Sequence, residues 1–277
     1  MKNKADTIHS LWIGQHLSNI ELLTLRSFIA HGHDFHLWVY EKISTPLPPQ
    51  VVIRDANEII PVDKIFRYKY KNQFGHGKGS LGGFSDIFRY KLLYEHGGWW
   101  VDMDVTCIKP FDFNEPYVFR THQKLKVVGN IMKCPTKSEL MKLCYEKAIE
   151  TINEENKDWH KPIQILNDYI SVLNLEKYII EMSNPDSWKL IRRLLNADFI
   201  PPENWHAIHW VNEEWRRNGL DKNFFRENSF FGKRMQKYGI EKSNKKALQI
   251  LYEIMKLSYP YAVVKQLPAL CKYHLGK

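Results

Sequence analysis

The sequence contains no CxxC pair. Its four cysteines, Cys107, Cys134, Cys144 and Cys271, lie far apart. Neither a disulfide framework nor a cysteine zinc site is indicated, and buried free thiols are expected. No window of about 18 apolar residues occurs, so no membrane-spanning helix is expected. The N-terminal MKNKADTIHS lacks the apolar stretch of a signal peptide, which points to a cytoplasmic protein. Internal repeats and low-complexity tracts are missing. So are zinc-finger spacing and RNP-type aromatic signatures, and nucleic acid is therefore not an expected partner.

What is present is an ordinary globular balance: 277 residues, 44% hydrophobic and 26% charged, enough to bury a sizeable core. The net charge is +9. That sign favours acidic partners such as phosphorylated small molecules, anionic lipid or nucleic acid, without choosing among them.

The first fifty residues read strand, helix, strand. Residues 7–13 form an apolar strand ending at Gly14. Residues 18–31 have helical spacing with Gly32 as a stop, residues 35–40 form an aromatic and β-branched strand, and 51–53 a third, short one. This is a βαβ pattern and implies a parallel sheet. Residues 67–83 are basic and glycine-rich. Their GHGKGS fails as a P-loop because Lys78 is followed by Gly79, not by Ser or Thr. A mobile loop is expected there, with Lys78 still in reach of a phosphate. Residues 85–96 read as a helix with Ser85 as N-cap and Asp86 in its first turn, ended by Gly97. A strand over 99–108 follows, closed by Pro110. Helical pattern covers 138–182 with a break near Pro162.

The stretch HGGWWVDMDV, residues 96–105, carries the sharpest chemistry. In a strand, Asp102 and Asp104 point to one face, roughly 6–7 Å apart along the chain, and Met103 points into apolar packing. Two carboxylates this close repel, and a divalent cation removes that penalty. Carboxylate oxygens suit Mg2+ or Mn2+. A lone D-x-D arises by chance roughly once in a chain of this length, so context decides. Asp86 and Arg89 precede the pair, three apart on one helix face. They read either as a local ion pair or as a hydroxyl acceptor beside an anion clamp.

The stretch GFSDIFRYKLLYEHGGWWVDMDVTCIKPFD resembles the DXD region of the glycosyltransferase family 32-type enzymes. That group includes Och1-like mannosyltransferases, α-1,4-glycosyltransferases, enzymes of capsular polysaccharide synthesis and glucosylating bacterial toxins. The shared pattern, S-D-x-x-R, then GG, then aromatic-x-D-x-D, is filled by Ser85, Asp86, Arg89, Gly97, Gly98, Trp100, Asp102 and Asp104. IHSLWIG looks like the family's first strand, in which an aromatic before I-G lies against the nucleotide base; here these are Trp12, Ile13 and Gly14. HWVNEEW resembles the H-x-x-x-x-S-W segment, with His209 and Trp215 matching and Glu214 in place of serine.

The resemblance implies an α/β, Rossmann-like GT-A fold with a mostly parallel sheet and added C-terminal helices. It implies a metal-dependent, retaining glycosyltransferase acting on a nucleotide sugar, UDP-linked in preference to GDP-linked. The acceptor would be a glycan or lipid-linked saccharide in surface polysaccharide assembly. Asp86, Arg89, Asp102 and Asp104 would be catalytic. Trp12, Ile13, Gly14, Ser85, Asp86, Arg89, Trp100 and Asp102 would hold the donor, with Trp100 lining its ribose or sugar. Asp102, Asp104 and His209 would hold Mn2+ or Mg2+. Trp205, Trp210 and Trp215 are read either as a lid or acceptor platform or as core. The rivals are a toxin-like transferase that sugars a protein and a non-catalytic nucleotide or glycan binder.

The transferase domain is expected over residues 1–240. Residues 241–277 form a helical tail with seven Lys against two Glu. Its Leu248, Leu251, Ile254 and Met255 fall at helical spacing, for packing on the domain or for peripheral docking at the inner face of the cell membrane.

Overall fold

The computed structural model describes residues 7–258. β1 (Ile8–Trp12), α1 (Asn19–Ala30), β2 (Phe35–Val39) and β3 (Val51–Asp55) form the expected parallel unit. β1 pairs with β2, and β2 with β3, all in parallel register. Ser18 caps α1 in a capping box, with Glu21 accepting the Ser18 N–H at 2.7 Å.

α2 (Gly82–His96) begins three residues earlier than expected. Its N-cap is Leu81, and Ser85 lies within the first turn; the Ser85 N–H already donates to the Leu81 carbonyl, so the hydroxyl has no cap to make. Gly97 and Gly98 then take φ +65° and +80°. A Cβ would stand 2.5 Å from Thr136 N at Gly97, and 2.7 Å from Thr7 O at Gly98. Both positions demand glycine. They end α2 and start β4 (Gly98–Val101), which joins β1 in parallel.

The expected strand over 99–108 is two strands. β4 stops at Val101, residues 102–104 turn, and β5 (Val105–Cys107) leaves to pair antiparallel with β9 (Ala207–His209). The turn is closed by Val105 N–H donating to Asp102 O. Two antiparallel strands went unread in the sequence: β6 (Val118–His122) and β7 (Lys126–Cys134). β7 is buried on both faces apart from its first residue, so it lacks the alternation that marks a strand. Helical pattern also overran its end. α3 (Glu139–Thr151) and α4 (Lys161–Val172) are present, with Pro162 in the first turn of α4 where its missing N–H costs nothing. Ile179 and Ile180, however, form β8, parallel to β6. The main sheet runs β3-β2-β1-β4-β7-β6-β8, a Rossmann-like arrangement of GT-A type. Chain order reverses across β1 and β4, and ligands of such sheets sit at the strand carboxyl ends beside that switch.

Side chains alternate between two cores. Trp38 and Trp100 pack with Phe88 and Leu92 of α2. Leu37, Val39, Trp99 and Val101 pack with Leu25 and Phe28 of α1. A third core gathers Trp205, Trp210 and Trp215 with α5 (Trp188–Asn196), α6 (Asn212–Asn218) and α7 (Phe230–Lys237). The lid reading of these tryptophans is thereby corrected: all three are buried, and their indole N–H groups are tied to Glu181, Thr106 and Trp210 O. α8 (Ala247–Lys256) closes the described chain. Cys107, Cys134 and Cys144 are buried free thiols, as expected, and Cys271 lies outside the described residues. Among the described residues no helix is long and apolar enough to cross a membrane. The loop at 67–83 is pinned across its base, Tyr68 N to Ser80 O at 3.0 Å and Gly79 N to Tyr68 O at 2.7 Å, with Lys78 exposed on it.

His9 sits in β1 with its Nδ1 accepting from the Trp38 indole at 3.1 Å. An indole N–H only donates, so Nδ1 carries no proton. Burial, then His36, His96 and Arg54, lower the His9 pKa from 6.5 to about 3. The unfolded chain takes up this proton below 6.5 and the fold does not. Stability is therefore full above pH 6.5 and is lost as pH falls from there toward about 3. At pH 5 the loss is about 2 kcal/mol relative to pH 8. His9→Gln keeps an acceptor for Trp38 and should remove this component in urea unfolding at the two pH values. An unchanged pH dependence in the variant would contradict the assignment.

Candidate active site

The residues singled out in the sequence converge at the carboxyl ends of β1 and β4. Arg89, buried on α2, reaches Asp86 at 3.3 Å and Asp102 at 3.2 Å. Its guanidinium lies over the Trp100 ring at 5.1 Å. Room for it comes from Gly129 in β7, where a Cβ would stand 2.6 Å from Arg89 Nη1. Trp100 is only 1% exposed, so it offers no face to a ligand, contrary to the expected lining role. It works from behind: its Nε1 donates to Asp102 Oδ1 at 2.7 Å. β4 twists it into the α2 core because the residues after Gly98 alternate between two buried faces.

The split strand sets the carboxylates. Asp102 continues the sheet, its N–H donating to Asn130 O. Arg89 and Trp100 both bind its Oδ1, which leaves Oδ2 available. Met103 is buried behind, its carbonyl held by the Thr24 hydroxyl at 2.8 Å. Asp104 turns toward β9. Trp210 N–H donates to its carbonyl, and Asn212 N–H to Oδ2 at 2.7 Å. His209 Nε2 lies 3.3 Å from the same oxygen.

Behind His209 stands a group that no sequence motif marked. Its Nδ1 donates to Asp186 at 2.8 Å. Asp186 in turn receives Arg120 at 2.5 Å and 3.2 Å, a bidentate pair. Arg120 is buried, and it also binds Ser183, Asn184 O and Asn130. Asn184 fixes the His209 backbone in both directions. A lone Asp and Asn in a loop-rich stretch and a lone Arg in β6 carry no spacing signal; only folding brings them together.

The electrostatics follow from these contacts. Burial opposes charge on His209, but Asp186 and Asp104 outweigh it and raise its pKa to about 10. The partners are lowered in consequence, Asp104 against burial by His209, and Asp186 likewise by His209 and Arg120. Burial raises Asp86 to about 6, against the pull of Arg89. Asp102 is also raised by burial, with Arg89 opposing.

Among the described residues, several buried side-chain polar atoms lack a hydrogen-bond partner, and Trp12 Nε1, Arg89 Nε and Asn130 Nδ2 are among them. Trp12 is half-buried at the end of β1, beside Gly14 at φ +133°, and Ile13 packs against the α2 core. Buried donors left over are unusual, and two of these residues, Arg89 and Asn130, are bonded directly to Asp102. Donors of this kind fit an anionic, oxygen-rich ligand. Among the described residues no three acidic, histidine or cysteine groups already meet at metal-binding geometry. The donor set still fits a hard divalent cation. Asp104 and His209 are adjacent, the Asp186 bond fixes Nδ1 and turns Nε2 inward, and Asp102 retains Oδ2.

Residues 51–122 match the family model described as the glycosyltransferase sugar-binding region containing a DXD motif. This span holds Asp86, Arg89, Asp102 and Asp104 but not Trp12 or His209. The match supports a glycosyltransferase-type catalytic function. Comparison with curated protein sequences finds no match. Among solved structures, the PaToxG glycosyltransferase is similar at 15% identity and TM-score 0.45, over 62% of this chain and 73% of that one. The WbbM bifunctional glycosyltransferase, in its apo structure, is similar at 12% identity and TM-score 0.49, over 91% of this chain. The chain spans about half of that protein, 52% of its length.

Removing Asp186 should leave Arg120 buried and unpaired. Asp186→Ala is expected to cost roughly 3–5 kcal/mol in urea unfolding. Asp186→Asn, which keeps an acceptor, should cost clearly less. Equal and small losses would mean that Arg120 finds another partner.

Proposed function

We propose that the protein is a metal-dependent, retaining glycosyltransferase of family 32 type. It moves a sugar from a nucleotide sugar, UDP-linked in preference to GDP-linked, to a glycan or lipid-linked saccharide in surface polysaccharide assembly. The observation that carries this reading is the convergence of Asp86, Arg89, Asp102, Asp104 and His209 on one strand-end site, flanked by unpartnered buried donors.

Each residue has a part that its contacts support. Trp12 would stack on the base, a contact typically worth about 1–3 kcal/mol, and its indole N–H, which has no protein partner, can meet a base or ribose oxygen. Arg89 keeps Nε without a partner and stands as a fixed positive donor for phosphate or sugar oxygen. Asp86, beside it, accepts from sugar hydroxyls and helps choose the donor. Its raised pKa makes it more basic than an ordinary aspartate and a stronger acceptor. Asp104 and His209, with Asp102 through Oδ2, would hold Mn2+ or Mg2+. That cation, when bound, neutralises the nucleoside diphosphate as the glycosidic bond breaks. Asp186 holds the His209 Nδ1–H, so a cation that displaces the Nε2 proton would meet an oriented nitrogen, the second support that metal-binding histidines commonly have. Retention is assigned to a front-face displacement aided by the diphosphate.

The test is slow donor hydrolysis. The protein is incubated with a panel of UDP- and GDP-sugars and Mn2+, and released nucleotide is measured. Release from a UDP-sugar, dependent on Mn2+ or Mg2+, is expected. Asp104→Ala should lower it by at least about a hundredfold, the scale of losing one charge-stabilising group. No release from any donor would count against the donor assignment. Full activity in Asp104→Ala would remove its metal role.

A further inference from the structure

The charge of the chain is concentrated at one end. Residues 1–211 carry 26 Lys and Arg against 25 Asp and Glu. Residues 212–277 carry 14 against 6, and so hold +8 of the net +9. The same region contains a helix with its faces reversed. On α8, Leu248, Leu251, Tyr252 and Met255 fall at i, i+3, i+4 and i+7, one continuous stripe. They are 78%, 54%, 52% and 48% exposed. The side turned to the protein carries Glu253, which is buried. Lys256 pairs with it at 3.0 Å and Lys245 at 3.8 Å, and Asp221 N–H donates to it at 3.4 Å. Leu257 anchors the helix end in the third core. Charged clamps thus hold α8 with its apolar stripe outward, an arrangement that leaves hydrophobic surface in water unless something covers it.

We propose that α8 is a docking surface for an anionic lipid bilayer. Two properties have to be met at once, a strong positive field and an apolar stripe. Nucleic acid answers the charge but not the stripe. A second copy of the chain answers the stripe, but it brings another +8 against the first. An anionic bilayer takes both, the exposed Lys237, Lys242 and Lys246 at its headgroups and Leu248 and Leu251 at the acyl boundary. The position of the helix is consistent with this. Lys256 donates to Gly219 O at 2.6 Å, the cap of α6, whose first residue Asn212 binds Asp104. α6 has seven residues, so α8 is tied about 10 Å along it from the carboxylate. Docking there would bring a lipid-linked acceptor to the donor end of the site. That last step rests on the proposed transferase function; the docking does not.

The experiment is co-sedimentation of the full chain with vesicles of phosphatidylcholine alone or mixed with phosphatidylglycerol, at low and high salt. Binding to the anionic vesicles is expected to be at least about tenfold tighter than to neutral ones, and to weaken with salt. The double variant Leu248→Glu with Leu251→Glu should lower anionic-vesicle binding by at least about tenfold. Its metal-dependent donor hydrolysis in solution should match that of the unchanged protein. Equal binding to both vesicle types, no binding, or full binding by the double variant would overturn the proposal. So would self-association that the variant abolishes, or tighter binding to duplex DNA or RNA than to vesicles. Loss of donor hydrolysis in the unchanged protein would sink the transferase reading alone and leave the vesicle result standing.

Discussion

The site depends on a buried chain of alternating charge: Arg120, Asp186, His209, Asp104. Each member neutralises the next. Ion pairs of this kind rarely add net stability, because taking charges from water costs several kcal/mol each. Their effect is on geometry. Arg120 belongs to β6, Asp186 to the segment before α5, His209 to β9 and Asp104 to the turn after β4. Four distant parts of the chain are thus fixed to one another at hydrogen-bond distance. A carboxylate at the end of a short strand would otherwise be free to swing.

Environment gives the three aspartates different characters. Asp104 faces an imidazolium and a backbone N–H and is lowered. Asp86 has one nearby cation, shared with Asp102, and its burial wins, so it rises to about 6. Arg89 cannot fully serve both carboxylates, as its Nη2 contacts each at more than 3 Å. The two carboxylates therefore keep more negative charge than this one guanidinium offsets. The same residue type at nearly the same place is thereby given different proton affinities by its surroundings.

Much of the framework was legible in the sequence because it is local. The βαβ start, the helix stop at Gly97 and the clustering of Asp86, Arg89, Asp102 and Asp104 rest on neighbours within a few residues. What escaped was set by distant contacts. β7 hides its strand character by being buried on both faces. The apparent strand over 99–108 breaks because its second half is claimed by β9, about a hundred residues later. Trp100 and the tryptophans at 205, 210 and 215 were open to ligand readings because an aromatic looks the same in a core and in a pocket; their burial decides. Asp186, Arg120 and Gly129 had no motif at all.

Val211 shows how strongly the β9 end is determined. It adopts φ 53°, the left-handed region, in which a β-branched side chain is a true outlier and strain of order 1–3 kcal/mol is stored. Its side chain packs partly against the third core, but that alone does not call for a left-handed backbone. Its neighbours do: Trp210 donates its N–H to the Asp104 carbonyl, and Asn212 donates its N–H to the Asp104 carboxylate. For both N–H groups to reach one residue, the backbone between them must reverse direction within a single step, and that step is Val211. An extended Val211 would carry Asn212 away and leave Asp104 with His209 alone. The strained conformation is therefore held by the same contacts that aim Asp104, and those contacts would be lost together if it relaxed.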